Sequence, residues 1–223
     1  MERRESLKKK FNNDRASLSD EELLELLLYY SGLKDGAEEK AAQLIKAFGS
    51  LNGVITAPEP ALKRHGISDN AAILLALAID LERQINADAC KEIRKLDGVQ
   101  KAIDYCRNVL CTDPLENMII ITLDENSKII QLHRLTVLGT VSSVTVSPQE
   151  IMKRVIFDNA HSIIVAHNHP HGYAEASTDD VEFTLKTMEL LRNVGVSLKD
   201  HIIIGEGCAM SMRCNEKLKD YFD

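Results

Sequence analysis

Residues 162–180 read SIIVAHNHPHGYAEASTDD, and they contain the clearest structural signal in the chain. The stretch opens with an apolar, β-branched run over residues 162–166, which is typical of a buried strand. His167 and His169 follow this run directly. In an extended chain, side chains two residues apart share one face and lie ~7 Å apart along the strand. Two imidazole rings placed in this way can converge on a single cation.

A third ligand is predicted shortly afterwards. Pro170 and Gly172 turn the chain, and Ser177 begins a helix whose first turn contains Asp180. The Asp180 carboxylate can therefore return toward the two histidines. Two neutral nitrogens and one carboxylate suit Zn²⁺ and leave a fourth coordination position for water, which marks a catalytic rather than a structural zinc site.

Two alternatives explain parts of this pattern without zinc catalysis. Ser177 and Asp180 have nearly the spacing of a helix capping box, which accounts for both residues as local structure. The contiguous His-Asn-His also suggests an HNH nuclease, but such nucleases spread these residues over a ββα unit. We favour the metal site because a buried strand, an HxH pair, a turn and a helix-opening carboxylate occur together.

The flanking sequence predicts a mixed α/β domain over residues 97–223, with a mixed sheet flanked by helices. The predicted helices cover residues 97–110, 148–159 and 177–193. The predicted strands cover residues 117–123, 128–135, 137–146, 162–166 and 201–204.

The sequence of residues 1–88 predicts a separate, all-α domain. Ser19 and Glu22 form a capping box before the run ELLELLLYY. Further helices are expected over residues 37–48 and 69–85. Residues 86–96 are polar and lack apolar periodicity, so the domain boundary is placed there.

The amino-acid composition is typical of a globular protein. With 44% hydrophobic and 27% charged residues, the chain is expected to be a globular protein and not a disordered one. No apolar run approaches the ~20 residues of a membrane span, and the charged N-terminus lacks the apolar stretch of a signal peptide. We therefore expect a cytoplasmic protein with no membrane partner.

The cysteine pattern and the net charge argue against disulfide, cysteine-zinc and strongly basic nucleic-acid-binding sites. The five cysteines are odd in number and form no CxxC pair, which argues against a disulfide framework and against a cysteine-based zinc site. The net charge is −7, and neither half is basic overall. The only basic patch lies in residues 3–15, which are expected to form a solvated, disordered arm.

The motifs resemble those of a known family. HxH, seven intervening residues and SxxD resemble the JAMM motif of MPN-domain metallopeptidases. HNHPxG together with DHIIIG at residues 200–205 resembles the bacterial RadC family, whose members are called DNA repair protein RadC. In the first half, LSDEELLELLL (18–28), AFGSLNGV (47–54) and GISDNAA (66–72) resemble the same family.

This resemblance implies roles for five residues. In JAMM enzymes two histidines and one aspartate bind zinc, which here implies His167, His169 and Asp180. The serine supports the tetrahedral intermediate and matches Ser177. A glutamate at the start of the first strand acts as general base, and Glu116 is the best match.

The glutamate assignment has two rivals. Glu116 precedes His167 by 51 residues, so the motif spacing does not identify it. Glu150 is better explained as a helix cap, and Glu125 falls in a predicted hairpin turn.

The resemblance implies a zinc-dependent hydrolase of peptide or isopeptide bonds with an unidentified substrate. The alternative is a non-catalytic, DNA-associated or scaffold protein whose MPN domain is structural. The first domain resembles a helix-hairpin-helix module, which implies DNA as a partner. Ser68 stands where that module has its second glycine, and no lysine follows in the next turn.

Overall fold

The computed structural model describes residues 2–113, 115–135, 148–170 and 172–222. The chain divides into two compact units, Met1–Gln84 and Ile85–Asp223. Within the described ranges, no helix has both the length and the apolar character needed to cross a membrane.

The first unit is helical and has one apolar core, formed mainly by leucine and alanine side chains. The capping box is present, since Ser19 Oγ accepts the Glu22 amide and Glu22 accepts the Ser19 amide. The helices are α1 (Glu2–Asn13), α2 (Asp20–Tyr30), α3 (Ala37–Phe48), α4 (Leu51–Ile55), α5 (Glu59–Arg64) and α6 (Asp69–Glu92).

The prediction of a disordered basic arm is wrong, because α1 is an ordered helix. Leu7 is buried, and the Arg3 guanidinium donates two hydrogen bonds to the buried Glu25 carboxylate. These contacts join α1 to α2 and offset the entropy cost of ordering the N-terminus.

Helix α6 is longer than predicted and continues through the polar stretch to Glu92. Alanine, lysine and glutamate in this stretch are good helix formers, and Cys90, which itself belongs to the second unit, packs against the core of that unit. The absence of apolar periodicity therefore did not mark the end of the helix.

Within the described residues, the second unit is built on a five-stranded mixed sheet in the order β2-β1-β3-β4-β5. Strands β3 and β4 are parallel, and the other neighbours are antiparallel. The mixed α/β class is thus confirmed. The elements are α7 (Val99–Leu110), β1 (Met118–Leu123), β2 (Ile129–Leu135), α8 (Pro148–Phe157), β3 (Ser162–Asn168), α9 (Thr178–Arg192), β4 (Ser197–Gly205) and β5 (Cys208–Ser211).

Helices cover both faces of this sheet. Ile164 and Ala166 of β3 belong to the core under α7, whereas Ile163 and Val165 belong to the core under α8 and α9. This alternation follows from the two-residue period of a strand. His167 continues the second set, so its ring lies on the α9 side of the sheet.

Two predictions concern residues outside those that the structure describes. The expected strand over residues 137–146 lies there, and so does Ser147 of the expected capping box before α8. Strand β5 was not predicted, because four residues after a Glu206-Gly207 turn are too few to establish a pattern.

Candidate metal centre

The site forms where β3 ends. The strand continues two residues beyond the predicted 162–166, so His167 and Asn168 belong to it and are buried. His167 is paired with Met118 at the start of β1 and with Ile203 of β4. The start of β1 and the last residues of β4 therefore lie beside His167.

Two potential ligand atoms lie close to His167 Nε2. His169 Nε2 lies 3.0 Å from it, and Asp180 Oδ1 lies 3.3 Å from it. In a tetrahedral zinc site with metal–ligand distances near 2.0–2.1 Å, ligand atoms are separated by about 3.3–3.4 Å. The separations and donor types at this centre therefore fit a zinc ion.

The hydrogen on the His169 ring can be placed from its other contact. His169 Nδ1 lies 3.0 Å from the main-chain oxygen of Tyr173, which can only accept a hydrogen bond. Nδ1 must therefore carry the hydrogen, and Nε2 presents a lone pair toward His167. His169 Nε2 is therefore able to bind a cation.

The loop that carries Tyr173 is held against β4. The Glu206 amide donates to the main-chain oxygen of Gly172 at 2.9 Å, and the His169 amide donates to Ile204 O at 2.7 Å. Gly205 lies so close to this loop that a side chain there would collide with its backbone. The last residue of DHIIIG therefore helps to place His169.

Ser177 and Asp180 form a complete capping box at the start of α9. The Ser177 hydroxyl accepts the Asp180 amide and donates to Asp180 Oδ2 at 2.6 Å. Burial alone would raise the pKa of Asp180, but the neighbouring His167 and the hydrogen bonds from Ser177 lower it. Oδ1 remains directed at His167, so capping and ligation are compatible.

The contact between His167 and Asp180 is not an ion pair at neutral pH. Burial lowers the pKa of His167 to about 4, and burial also lowers the pKa of His201, whose Nε2 lies 2.9 Å from His167 Nδ1. Both rings are therefore neutral, as metal ligation requires of His167.

Glu116 lies beside the two histidines, just before β1. Its carboxylate and the ligand nitrogens of His167 and His169 are all within 4.8 Å of one another. Burial of the carboxyl group raises the pKa of Glu116, and His169 offsets this only in part. Of the two rivals, Glu125 lies in the turn between β1 and β2, as predicted, and Glu150 pairs with Lys153 in the first turn of α8.

Asn168 positions the segment that carries Glu116, and sequence reasoning missed this role. Its Oδ1 accepts the Asn117 amide at 2.8 Å, while its Nδ2 donates to the main-chain oxygens of Asp113 and Leu115. The available signal was an amide side chain at the end of a buried strand, where it needs partners.

Comparison with known proteins identifies the family of this chain. The family profile described as "RadC-like JAB domain" matches residues 96–218. A UPF0758 protein of Shewanella halifaxensis is 34% identical over 200 residues, covering 89% of this chain and 88% of that protein. A UPF0758 protein of Acidithiobacillus ferrooxidans is 31% identical over 199 residues, with the same coverage.

The chain belongs to the RadC family. The prediction made from the HNHPxG and DHIIIG motifs is thus confirmed. Membership supports a JAMM-related fold for the second unit. The matched residues 96–218 include the five β-strands of the described part of the chain and all five predicted site residues.

Proposed function

We propose that this protein is a zinc-dependent hydrolase of amide bonds, of the peptidase or isopeptidase type. The observation that carries the proposal is the convergence of His167 Nε2, His169 Nε2 and Asp180 Oδ1 at separations of 3.0 and 3.3 Å. A second carboxylate, from Glu116, lies beside this cluster. We assign the three converging residues as zinc ligands.

When bound at this centre, zinc supplies Lewis-acid chemistry that acidifies a water molecule and polarises a carbonyl group. Glu116 is the general base. It accepts the proton of the attacking water and delivers it to the departing amine. Its raised pKa suits both steps, because a base is most effective when its pKa approaches the working pH.

Ser177 has two tasks in this proposal. Its hydroxyl orients Asp180, to which it donates at 2.6 Å. To stabilise the oxyanion of a tetrahedral intermediate, the same hydroxyl must exchange Asp180 Oδ2 for the substrate oxygen as its acceptor. A rotation of the Ser177 side chain during the reaction is therefore part of the proposal.

Zinc content tests the ligand assignment. The full-length protein is reconstituted with zinc, desalted and measured by plasma mass spectrometry. We expect about one equivalent in the wild type and in His161→Ala, a control at the exposed residue just before β3, and little in His167→Ala. Less than about a tenth of an equivalent in the wild type, no different from His167→Ala, would contradict the proposal.

The Glu116→Gln variant separates base from ligand. Zinc-loaded proteins are incubated with a complex peptide mixture, and new peptide termini are detected by mass spectrometry. We expect Glu116→Gln to retain zinc and to lose the cleavage seen with the wild type. If it loses zinc as His167→Ala does, Glu116 is a ligand and the assigned base is wrong.

The second candidate is DNA association through a helix-hairpin-helix in the first unit, with a structural MPN domain. It is supported by the tight connection between α5 and α6, where Gly66 has a φ of 75°. However, Lys63 already pairs with Glu59 and Asp69. Absence of binding to duplex, single-stranded and branched DNA at ~50 mM salt would remove this candidate, since phosphate contacts are strongest at low salt.

A further inference from the structure

A continuous line of hydrogen bonds connects the His167 ring to helix α9. His167 Nδ1 lies 2.9 Å from His201 Nε2, and His201 Nδ1 lies 2.7 Å from Thr184 Oγ1. Thr184 Oγ1 lies 2.6 Å from the main-chain oxygen of Asp180. The line thus begins and ends on two residues of the proposed zinc site.

The direction of every bond in this line is determined by its last member. A main-chain oxygen can only accept, so the single hydroxyl hydrogen of Thr184 points to Asp180 O. Thr184 Oγ1 must then accept from His201 Nδ1, which carries the hydrogen of that neutral ring. His201 Nε2 is left with a lone pair and must accept from His167 Nδ1.

These bond directions determine the state of the other ring nitrogen of His167, Nε2. A neutral imidazole carries one ring hydrogen, on either nitrogen. With the hydrogen on Nδ1, Nε2 presents a lone pair to His169 Nε2 and Asp180 Oδ1. With the hydrogen on Nε2, the atom that faces the other two ligand atoms could not bind a metal.

Burial of His201 and Thr184 leaves no alternative hydrogen-bond partner in bulk water, so the bond directions are fixed. The His201 side chain is 0% exposed and Thr184 is 1% exposed, so bulk water cannot replace a missing partner. Met212 Sδ is the other acceptor near the Thr184 hydroxyl, at 3.6 Å. It competes weakly with Asp180 O, because thioether sulfur is a poor acceptor and lies farther away.

We propose that His201 and Thr184 are positioning residues that hold His167 in the tautomer that binds zinc through Nε2. The proposal rests on the zinc site proposed above. It assigns a purpose to the histidine of DHIIIG and to a threonine within α9. Loss of a partner that orients a metal-ligating histidine typically weakens metal affinity 10–100-fold.

Helix α9 offers a matched control for the test. Thr184 and Thr187 are both 1% exposed, but Thr187 Oγ1 has no hydrogen-bond partner within the described part of the chain. Thr184→Val and Thr187→Val therefore make the same chemical change at equal burial. Thr184→Ser restores the hydroxyl and serves as the rescue variant.

Zinc affinity of the full-length variants is measured by competition with a chromophoric chelator. We expect about 10–100-fold weaker binding for Thr184→Val, and wild-type binding for Thr184→Ser and Thr187→Val. Equal affinities for Thr184→Val and the wild type would overturn the proposal. Equal weakening by Thr187→Val would also overturn it, since general packing would then explain the loss.

A second measurement on the metal-free protein separates this proposal from the zinc site itself. Long-range ¹H–¹⁵N correlation spectra report which ring nitrogen of a histidine carries the hydrogen. We expect the Nδ1–H form of His167 in the wild type and in His201→Gln, whose amide can both accept from His167 and donate to Thr184. An Nε2–H form of His167 in the wild type would overturn the positioning role even if zinc binds. If the Nδ1–H form is observed but no zinc binds, the zinc hydrolase proposal fails.

Discussion

Replacing Gly205 by alanine should displace the loop that orients His169. An added Cβ would lie 2.4 Å from the Ala174 nitrogen and 2.7 Å from the Gly172 oxygen. Ordinary van der Waals contact begins near 3.4 Å, so the loop or the strand must move by about 1 Å. All of the colliding atoms belong to the backbone, which cannot escape by changing a rotamer.

That displacement affects both stability and the metal centre. Overpacking of this kind costs about 1–3 kcal/mol of unfolding free energy. The displaced loop includes Tyr173, whose main-chain oxygen accepts from His169 Nδ1 at 3.0 Å. A shift of about 1 Å weakens this bond and moves His169 Nε2 out of register, so zinc affinity should fall by about tenfold or more.

The assay pairs chelator competition for zinc with urea denaturation of the metal-free protein. Gly98→Ala is the control, because an added Cβ at Gly98 meets no atom within 4 Å and its φ of −151° is ordinary for alanine. We expect Gly98→Ala to keep wild-type zinc affinity. If Gly205→Ala binds zinc as tightly as the wild type, the loop after His169 does not orient that ligand.

Two further predictions concern other parts of the second unit. Asn168→Leu removes three hydrogen bonds to the segment that carries Glu116. It should cost about 1–3 kcal/mol and accelerate hydrogen exchange at the Asn117 amide; unchanged exchange would contradict the holding role. Burial alone would raise the pKa of Asp158, but hydrogen bonds from Thr122 and His133 lower it. This stabilisation exists above the unfolded pKa of about 4 and is lost as pH falls through the lower folded value. Asp158→Asn should therefore unfold at lower urea than the wild type at pH 7, and the two midpoints should converge toward pH 2; a constant difference would contradict the assignment.

The parts of the fold that were predicted correctly rest on local signals. The capping boxes at Ser19 and Ser177 and the apolar run before His167 depend on residues close in sequence, whose physics acts within one or two turns. The proximity of the HxH pair to Asp180 could be predicted for the same reason, because a single loop separates them in sequence.

The parts that motif spacing could not predict depend on how distant segments pair. Glu116 lies near His167 only because the start of β1 is antiparallel to the end of β3, with Met118 opposite His167. Motif spacing alone could not supply this register across 51 residues. The partners of Asn168 and His201 likewise follow from strand order, and α1 is ordered by a tertiary contact between Arg3 and Glu25.

The assignment of His167, His169 and Asp180 as zinc ligands can be tested by identifying the atoms around a bound zinc ion. Cys208 Sγ accepts the Ala174 amide at 3.3 Å, so a sulfur atom lies beside the loop that follows His169, although it does not belong to the cluster of Glu116, His167 and His169. Zinc K-edge X-ray absorption of the reconstituted protein distinguishes sulfur ligands from nitrogen and oxygen ligands. We expect only nitrogen and oxygen ligands, at about 2.0–2.2 Å and with the scattering of two imidazole rings. A sulfur shell at about 2.3 Å, or a protein that retains no zinc, would contradict the assignment.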